Sequence, residues 1–170
     1  YQREVEQIFL KQWNFAGRLD EIPDAGDYMV LDFCGESVII IRGKDGVVRA
    51  FVNVCRHRSA RLLDGRGHCR TIVCPYHSWV YGLDGTLTRM KGMEQTANFD
   101  PDENGLMPLR LESWAGFLFV SFASEVIPLE EYLGDMTEQY ASYSFAGALC
   151  VRRKSYDLKC NWKLYIENAM

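Results

Sequence analysis

Apolar side chains first recur at Val5, Ile8, Phe9 and Trp13. That spacing predicts a helix over residues 4–13 with one buried stripe. Residues 17–26 carry Pro23, Gly17 and Gly26 and read as a connector. From Asp27 the period falls to two. Strands are predicted over 28–33 and 36–41, joined near Gly35, and over 47–54 after the turn Lys44-Asp45-Gly46. Further strands are predicted over 71–73, then over 79–81 and 86–88 around Gly82-Leu83-Asp84-Gly85, and over 106–114 and 116–122. Residues 64–67 read as a loop and 91–105 as a polar excursion over the surface. Many short strands with frequent glycine turns imply a mainly β, antiparallel sandwich or barrel. After Pro128 the texture changes. Residues 129–133 and 136–140 look helical, 148–159 looks like a strand, and 162–170 looks like a helix with Asn161 at its N-cap. The expected organisation is an N-terminal helix and connector (1–26), a β domain (27–128) and the α+β start of a second domain (129–170).

With 170 residues, 48% of them hydrophobic, the chain can bury a sizeable core. A net charge of −4 and the lack of any basic run argue against a nucleic-acid surface. No apolar stretch approaches the ~18 residues of a membrane span, and no signal peptide is visible. The chain opens at Tyr1 and stops at Met170 inside a helical pattern, so it reads as a piece of something longer.

Chemistry concentrates in two short stretches, Cys55-Arg56-His57-Arg58 and Cys74-Pro75-Tyr76-His77-Ser78-Trp79. Each follows an apolar run, so each is a strand-to-loop tip offering one thiolate and one imidazole. Two Cys and two His suit a tetrahedral Zn²⁺ site, with all four on one ion. They also suit a Rieske [2Fe–2S] cluster, in which both thiolates hold one iron and both imidazoles the other. A one-residue gap in the first pair and a two-residue gap in the second is unlike the knuckles of most zinc sites. It resembles the Rieske signature C-x-H … C-x-x-H. Cys34, Cys69, Cys150 and Cys160 show no regular spacing and are expected to be reduced. Reduced thiols beside an iron–sulfur centre point to the cytoplasm. His68 is expected to be a solvated bystander, Trp79 to cover the cluster from water, and Arg58 to brace the loop or steer an acidic partner.

The two boxes, the leading Ile8-Phe9 … Trp13 segment and Asn161-Trp162-Lys163-Leu164-Tyr165-Ile166-Glu167-Asn168 together resemble the α (large) subunit of Rieske non-haem iron aromatic-ring-hydroxylating oxygenases. The resemblance implies an antiparallel Rieske β-sandwich followed by a truncated catalytic domain on which the first helix packs. It implies a cluster held by Cys55, His57, Cys74 and His77, with Arg58 and Trp79 around it. It also implies that electrons arrive from a reductase or ferredoxin and pass to a mononuclear Fe(II), held by two His and one carboxylate, which activates O₂ to hydroxylate an aromatic or related organic substrate. Asn168 would lie near that iron, and the subunits would form a homotrimer or an α3β3 assembly. The chain has three His, and two are assigned to the cluster, so no catalytic iron site is expected within it. High-potential respiratory Rieske proteins carry an extra Cys in each box, and the two pair as a disulfide. Ala60 and Tyr76 stand at those positions here, which implies a potential near the low end of the Rieske range, roughly −150 mV. Two other functions compete: a stand-alone Rieske ferredoxin, which needs no Asn161–Asn168 motif, and a zinc-stabilised binding module, which would be colourless.

Overall fold

The structure is a computed structural model that describes residues 1–93 and 95–169. Its strands are β1 (Asn14–Arg18), β2 (Asp27–Phe33), β3 (Glu36–Arg42), β4 (Val48–Val52), β5 (Arg66–His68), β6 (Ile72–Val73), β7 (Val80–Tyr81), β8 (Leu87–Arg89), β9 (Pro108–Trp114) and β10 (Phe117–Ser121). The architecture is mainly antiparallel β, in two sheets. A seven-stranded sheet runs β1-β10-β9-β4-β3-β2-β5, and a three-stranded sheet runs β6-β7-β8. Every pairing between these strands is antiparallel.

Strand β3 is the spine. Val38, Ile39, Ile40 and Ile41 are all fully buried. Ile39 and Ile41 face the core shared with the small sheet, among Phe51, Ile72, Trp79 and Tyr81. Val38 and Ile40 face a second core with Ala16, Met29, Leu118 and Val120. An uninterrupted β-branched run is what a strand needs when both of its faces are covered. Each such side chain contributes about 1.5–3 kcal/mol by leaving water.

The N-terminal helix is shorter than its apolar spacing predicts. Helix α1 spans Gln2–Glu4 and continues as a π-helical turn over Val5–Phe9. The Asn14 side-chain amide donates to the carbonyls of Phe9 (2.7 Å) and Gln12 (2.9 Å), satisfying the helix end and turning the chain into β1. Of the expected stripe, Val5 is buried but Ile8 is 44% exposed. Trp13 is buried beside the strands, its indole N–H donating to the Ile127 carbonyl at 2.8 Å. Strand β1 lies partly inside the expected connector. Its Gly17 sits at φ 148° at a register shift, and a Cβ there would stand 2.8 Å from the Met29 methyl carbon. A glycine in a strand reads as a breaker, yet here close packing on β2 requires it.

Beyond Pro128, helices α2 (Leu129–Leu133), α3 (Met136–Gln139) and α4 (Trp162–Ala169) form as expected, and the Asn161 side chain accepts the Lys163 N–H at 3.0 Å as a cap. Residue 170, with which the last helix was expected to close, lies outside the described residues. The expected strand over 148–159 is not formed, since these residues carry no regular secondary structure. A strand is a pairing between two segments, and no described segment lies beside this one to complete a ladder. The stretch is held by polar contacts instead. The Cys150 N–H donates to Asp20 at 2.8 Å, and Arg153 pairs with Glu21 at 2.7 Å.

Candidate functional site

Both cysteine–histidine boxes fold as the same hairpin tip. In the first, Val54 bridges Arg61, the Cys55 N–H donates to the Ala60 carbonyl at 2.8 Å, and the Ser59 N–H donates back to the Cys55 carbonyl at 3.0 Å. In the second, Val73 pairs with Val80, the Cys74 N–H donates to the Trp79 carbonyl at 2.8 Å, and the Ser78 N–H donates to the Cys74 carbonyl at 3.0 Å. The fifth residue of each tip adopts the left-handed conformation, Ser59 at φ 52° and Ser78 at φ 58°. The tips differ in where the imidazole falls, third in one and fourth in the other.

The four predicted donors divide by depth. Cys55 and Cys74 are buried in the core between the sheets, at 1% and 2% exposure. His57 and His77 are partly exposed, with ring centroids 4.8 Å apart. Burial pushes the Cys55 thiol up, while the Tyr81 hydroxyl and the His57 backbone N–H favour its thiolate and the neighbouring Cys74 opposes it. Burial, then the nearby His77, then the positive charge of Arg58 hold His57 below its ordinary value, which favours the neutral imidazole a metal needs.

Aromatic rings back both imidazoles. Trp79 lies parallel to His57, centroids 4.7 Å apart and planes at 4°, and Phe99 meets the indole edge-on at 5.7 Å. Tyr76 stacks on His77 at 3.7 Å and is 60% exposed. Tyr81, in β7, places its hydroxyl 3.3 Å from the Cys55 sulfur while accepting the Arg56 N–H at 3.0 Å. Burial and the adjacent Cys55 raise the Tyr81 phenol well above its usual range, so it stays a donor.

The donor set fits a cluster of two irons and two inorganic sulfides: two deep thiols for one iron and two outward imidazoles for the other. Among the described residues, no three His, Cys, Asp or Glu side chains gather as a single-ion site requires. The buried Trp79 indole N–H has no acceptor among the described residues, so the protein alone leaves the site one acceptor short.

Around the boxes, Trp79 is buried against the His57 ring. Arg58 is exposed, with no hydrogen bond or ion pair among the described residues, so it does not brace the loop. Arg61 does, through a two-pronged contact to Asp32 (2.8 and 3.0 Å) and a contact to Asp64 at 2.5 Å. His68 is exposed and bonds Asp27 at 2.9 Å, away from the boxes. Asn168 is exposed on α4, whose Trp162 packs on Phe9 at 5.1 Å rather than on the cluster tips.

Sequence reasoning missed Tyr81, Arg61 and Asn53. Asn53 is wholly buried. Its amide donates to Ser37 Oγ (3.1 Å) and the Leu63 carbonyl (2.7 Å), and its oxygen accepts the N–H groups of Leu62 (3.1 Å) and Leu63 (3.0 Å). It thereby ties the two ends of the first tip together. A signal existed, since Asn53 continues the inward-facing period of Phe51 just past β4 and is the one polar residue among residues 50–54.

The Rieske [2Fe-2S] domain family matches residues 12–100. The carnitine monooxygenase oxygenase subunit of Escherichia coli (strain K12) is 40% identical over all of this chain and 46% of its own length. The glycine betaine monooxygenase oxygenase subunit of Pseudomonas aeruginosa is 37% identical over 99% of this chain and 39% of its own. Among solved structures, a quaternary ammonium Rieske monooxygenase in its apo form superposes with a TM-score of 0.78 at 37% identity, covering 81% of this chain and 40% of that one. Naphthalene 1,2-dioxygenase with bound indole gives 0.76 at 35%, covering 82% and 32%. The chain spans about half the length, or less, of the curated relatives it matches. It belongs to the Rieske [2Fe–2S] domain family and corresponds to the N-terminal, Rieske-bearing portion of Rieske oxygenase α subunits.

Proposed function

We propose that this chain is the electron-relay part of a Rieske oxygenase, with Cys55 and Cys74 holding the inner iron of the cluster and His57 and His77 the outer one. When bound, the cluster supplies one-electron chemistry between a reductase or ferredoxin and a mononuclear Fe(II) carried further along the homologous chain. The observation that supports the reading is the division by depth. Thiols sit in the dry core, and imidazoles face outward, where a partner can approach.

The chain's own groups shape that centre. The Tyr81 hydroxyl and the His57 backbone N–H both face the Cys55 sulfur and stabilise negative charge on it. Trp79 fixes the plane of His57 and keeps water from its inner side. Residues 129–170 are the start of the catalytic part in this reading, and the assembly is cytoplasmic and trimeric. Among the described residues, no helix is long and apolar enough to cross a membrane. The named relatives favour a monooxygenase acting on a quaternary ammonium compound over one acting on an aromatic ring.

The test is direct. Chain purified without oxygen should carry two irons and two acid-labile sulfides, and on reduction show the electron paramagnetic resonance of a mixed-ligand cluster. Cys55→Ser and His77→Ala should each abolish it. A colourless protein holding one zinc would overturn the proposal.

A further inference from the structure

One face of β10 turns away from the core, yet it is aromatic. Along this strand Leu118 and Val120 point into the core, so Phe117 and Phe119 occupy the opposite face. Strand pairing sets Phe15 beside Phe119 and Trp114 beside Phe117. Met136 on α3, with Tyr140 and Phe145 after it, closes over this face. Six rings and the Met136 thioether thus line a cleft of about 360 Å³. Trp114 lies nearly parallel to Phe117, at 20°. Other contacts are steeply inclined: Phe15 to Phe117 at 62°, Trp114 to Phe145 at 60° and Phe117 to Phe145 at 67°, with centroids 6.0, 6.2 and 5.7 Å apart. The Arg18 guanidinium stands 4.6 Å from the centre of the Phe117 ring. It also donates to the Phe145 and Ala148 carbonyls at 2.9 and 2.5 Å, which pins the turn carrying Phe145. Asp20 matches its charge at 2.7 Å, so the pair adds little net charge beside the cleft.

None of the side chains lining the cleft is ionisable to a carboxylate or an ammonium. A primary ammonium entering it would give up water and find few acceptors in return. A quaternary ammonium has no N–H to satisfy, and the electron-rich faces of the rings attract its weakly hydrated charge. A neutral ligand of the same shape gains only the burial. We propose that this cleft binds a small quaternary ammonium compound, its methyl groups lodged among Trp114, Phe117 and Phe145. Such a site adds to the electron relay and does not depend on it, because no candidate cluster ligand lines the cleft.

The experiment titrates the chain, purified without oxygen, with three probes in a calorimeter: choline, its neutral carbon isostere 3,3-dimethylbutan-1-ol, and ethanolamine. Choline should bind about tenfold more tightly than either of the others. Trp114→Leu and Phe15→Leu keep the apolar bulk and remove an aromatic face. Each should weaken choline about tenfold and shift the isostere by no more than about twofold. Tyr132→Leu, outside the cleft, should change neither. The comparison of the three probes needs no variant, so it decides even where a substituted chain does not fold. Equal affinity for choline and the isostere would leave a plain apolar cleft. Equal affinity for choline and ethanolamine would leave only attraction to an acidic chain. Absence of choline binding, or association of two copies through this face, would give the cleft another occupant. Each of these results overturns the site. A chain that selects choline but holds no cluster would instead sink the Rieske reading alone.

Discussion

The two hairpin tips have the same backbone and are held by opposite means. Residues 55–60 and 74–79 share the closing hydrogen bonds and the left-handed serine. The second tip grows from a continuous ladder, with β6 and β7 paired through Ile72–Tyr81 and Val73–Val80 and β8 alongside. The first has a single bridge beneath it, Val54 to Arg61. What the ladder does for one tip, the Asn53 side chain and the Arg61 ion pairs do for the other. The same hairpin backbone is reached once through backbone pairing and once through side chains. The side-chain route is the one that single substitutions can dismantle.

The largest effect should therefore come from Asn53. Asn53→Ala removes four hydrogen bonds at a wholly buried position and strands the Leu62 and Leu63 N–H groups. Unsatisfied buried groups cost ~1–3 kcal/mol each, so a loss of about 3–5 kcal/mol is expected in chemical denaturation. Cluster content, read from visible absorbance, should fall with it. Among the described residues, no single side chain ties the second tip in the same way. A silent Asn53→Ala would break the comparison outright.

The shared backbone makes a symmetric prediction. A β-branched residue is strained in the left-handed region, so Ser59→Val and Ser78→Val should each cost roughly 1–2 kcal/mol. Glycine relieves that strain but frees the unfolded chain, so both Ser→Gly variants should lie within about 0.5 kcal/mol of the parent. Equal costs at the two positions support one hairpin used twice, and unequal costs argue that the tips only look alike.

What could be read in advance follows from how far apart the interacting residues lie. The β ladder from Asp27 to Phe122 shows in the alternation because each strand reports its own two faces. The candidate ligands show because each pair is local, Cys55 with His57 and Cys74 with His77. Helix α1 was overextended because Trp13 continues the helical spacing while belonging to the strand side. Strand β1 was lost to its glycine. The stretch 148–159 has a strand's pattern without a neighbour to pair with. Tyr81, Asn53 and Arg61 are different again. Tyr81 meets Cys55, and Arg61 meets Asp32, only after the strand registers are fixed. Asn53 stood as a polar residue in an inward position and could have been found.

Tyr81 also tests the expected potential. The lack of a disulfide-forming pair at Ala60 and Tyr76 points to the low end of the range, but a hydroxyl aimed at a ligand sulfur stabilises the reduced state and pulls the midpoint upward. If that bond strengthens by about 1 kcal/mol on reduction, Tyr81→Phe should lower the midpoint by roughly 40 mV in a redox titration. The Arg56 N–H loses its acceptor in the same variant, so part of the response belongs to the first tip. A midpoint that does not move would mean that the sulfur gains nothing from the hydroxyl.

The smallest expected effect is electrostatic and confined to one tip. The Arg61 guanidinium, with help from the Ser37 hydroxyl, holds the Asp32 carboxyl below its ordinary value of 3.8. A carboxylate depressed on folding contributes stability that is whole above its unfolded value and is lost as pH falls through the folded one. Acid should thus loosen the first tip before the second, whose backbone ladder carries no carboxylate. The pair is exposed and screened, so the contribution is modest. Asp32→Asn reproduces the protonated state at neutral pH without endangering the cluster. Amide exchange over residues 55–63 should then quicken about two- to threefold, with no change over 72–81. Added salt should narrow that gap in the parent and leave the variant unaffected. If both tips respond together, Asp32 acts on the sheet as a whole and the first tip does not depend on its side-chain clamp.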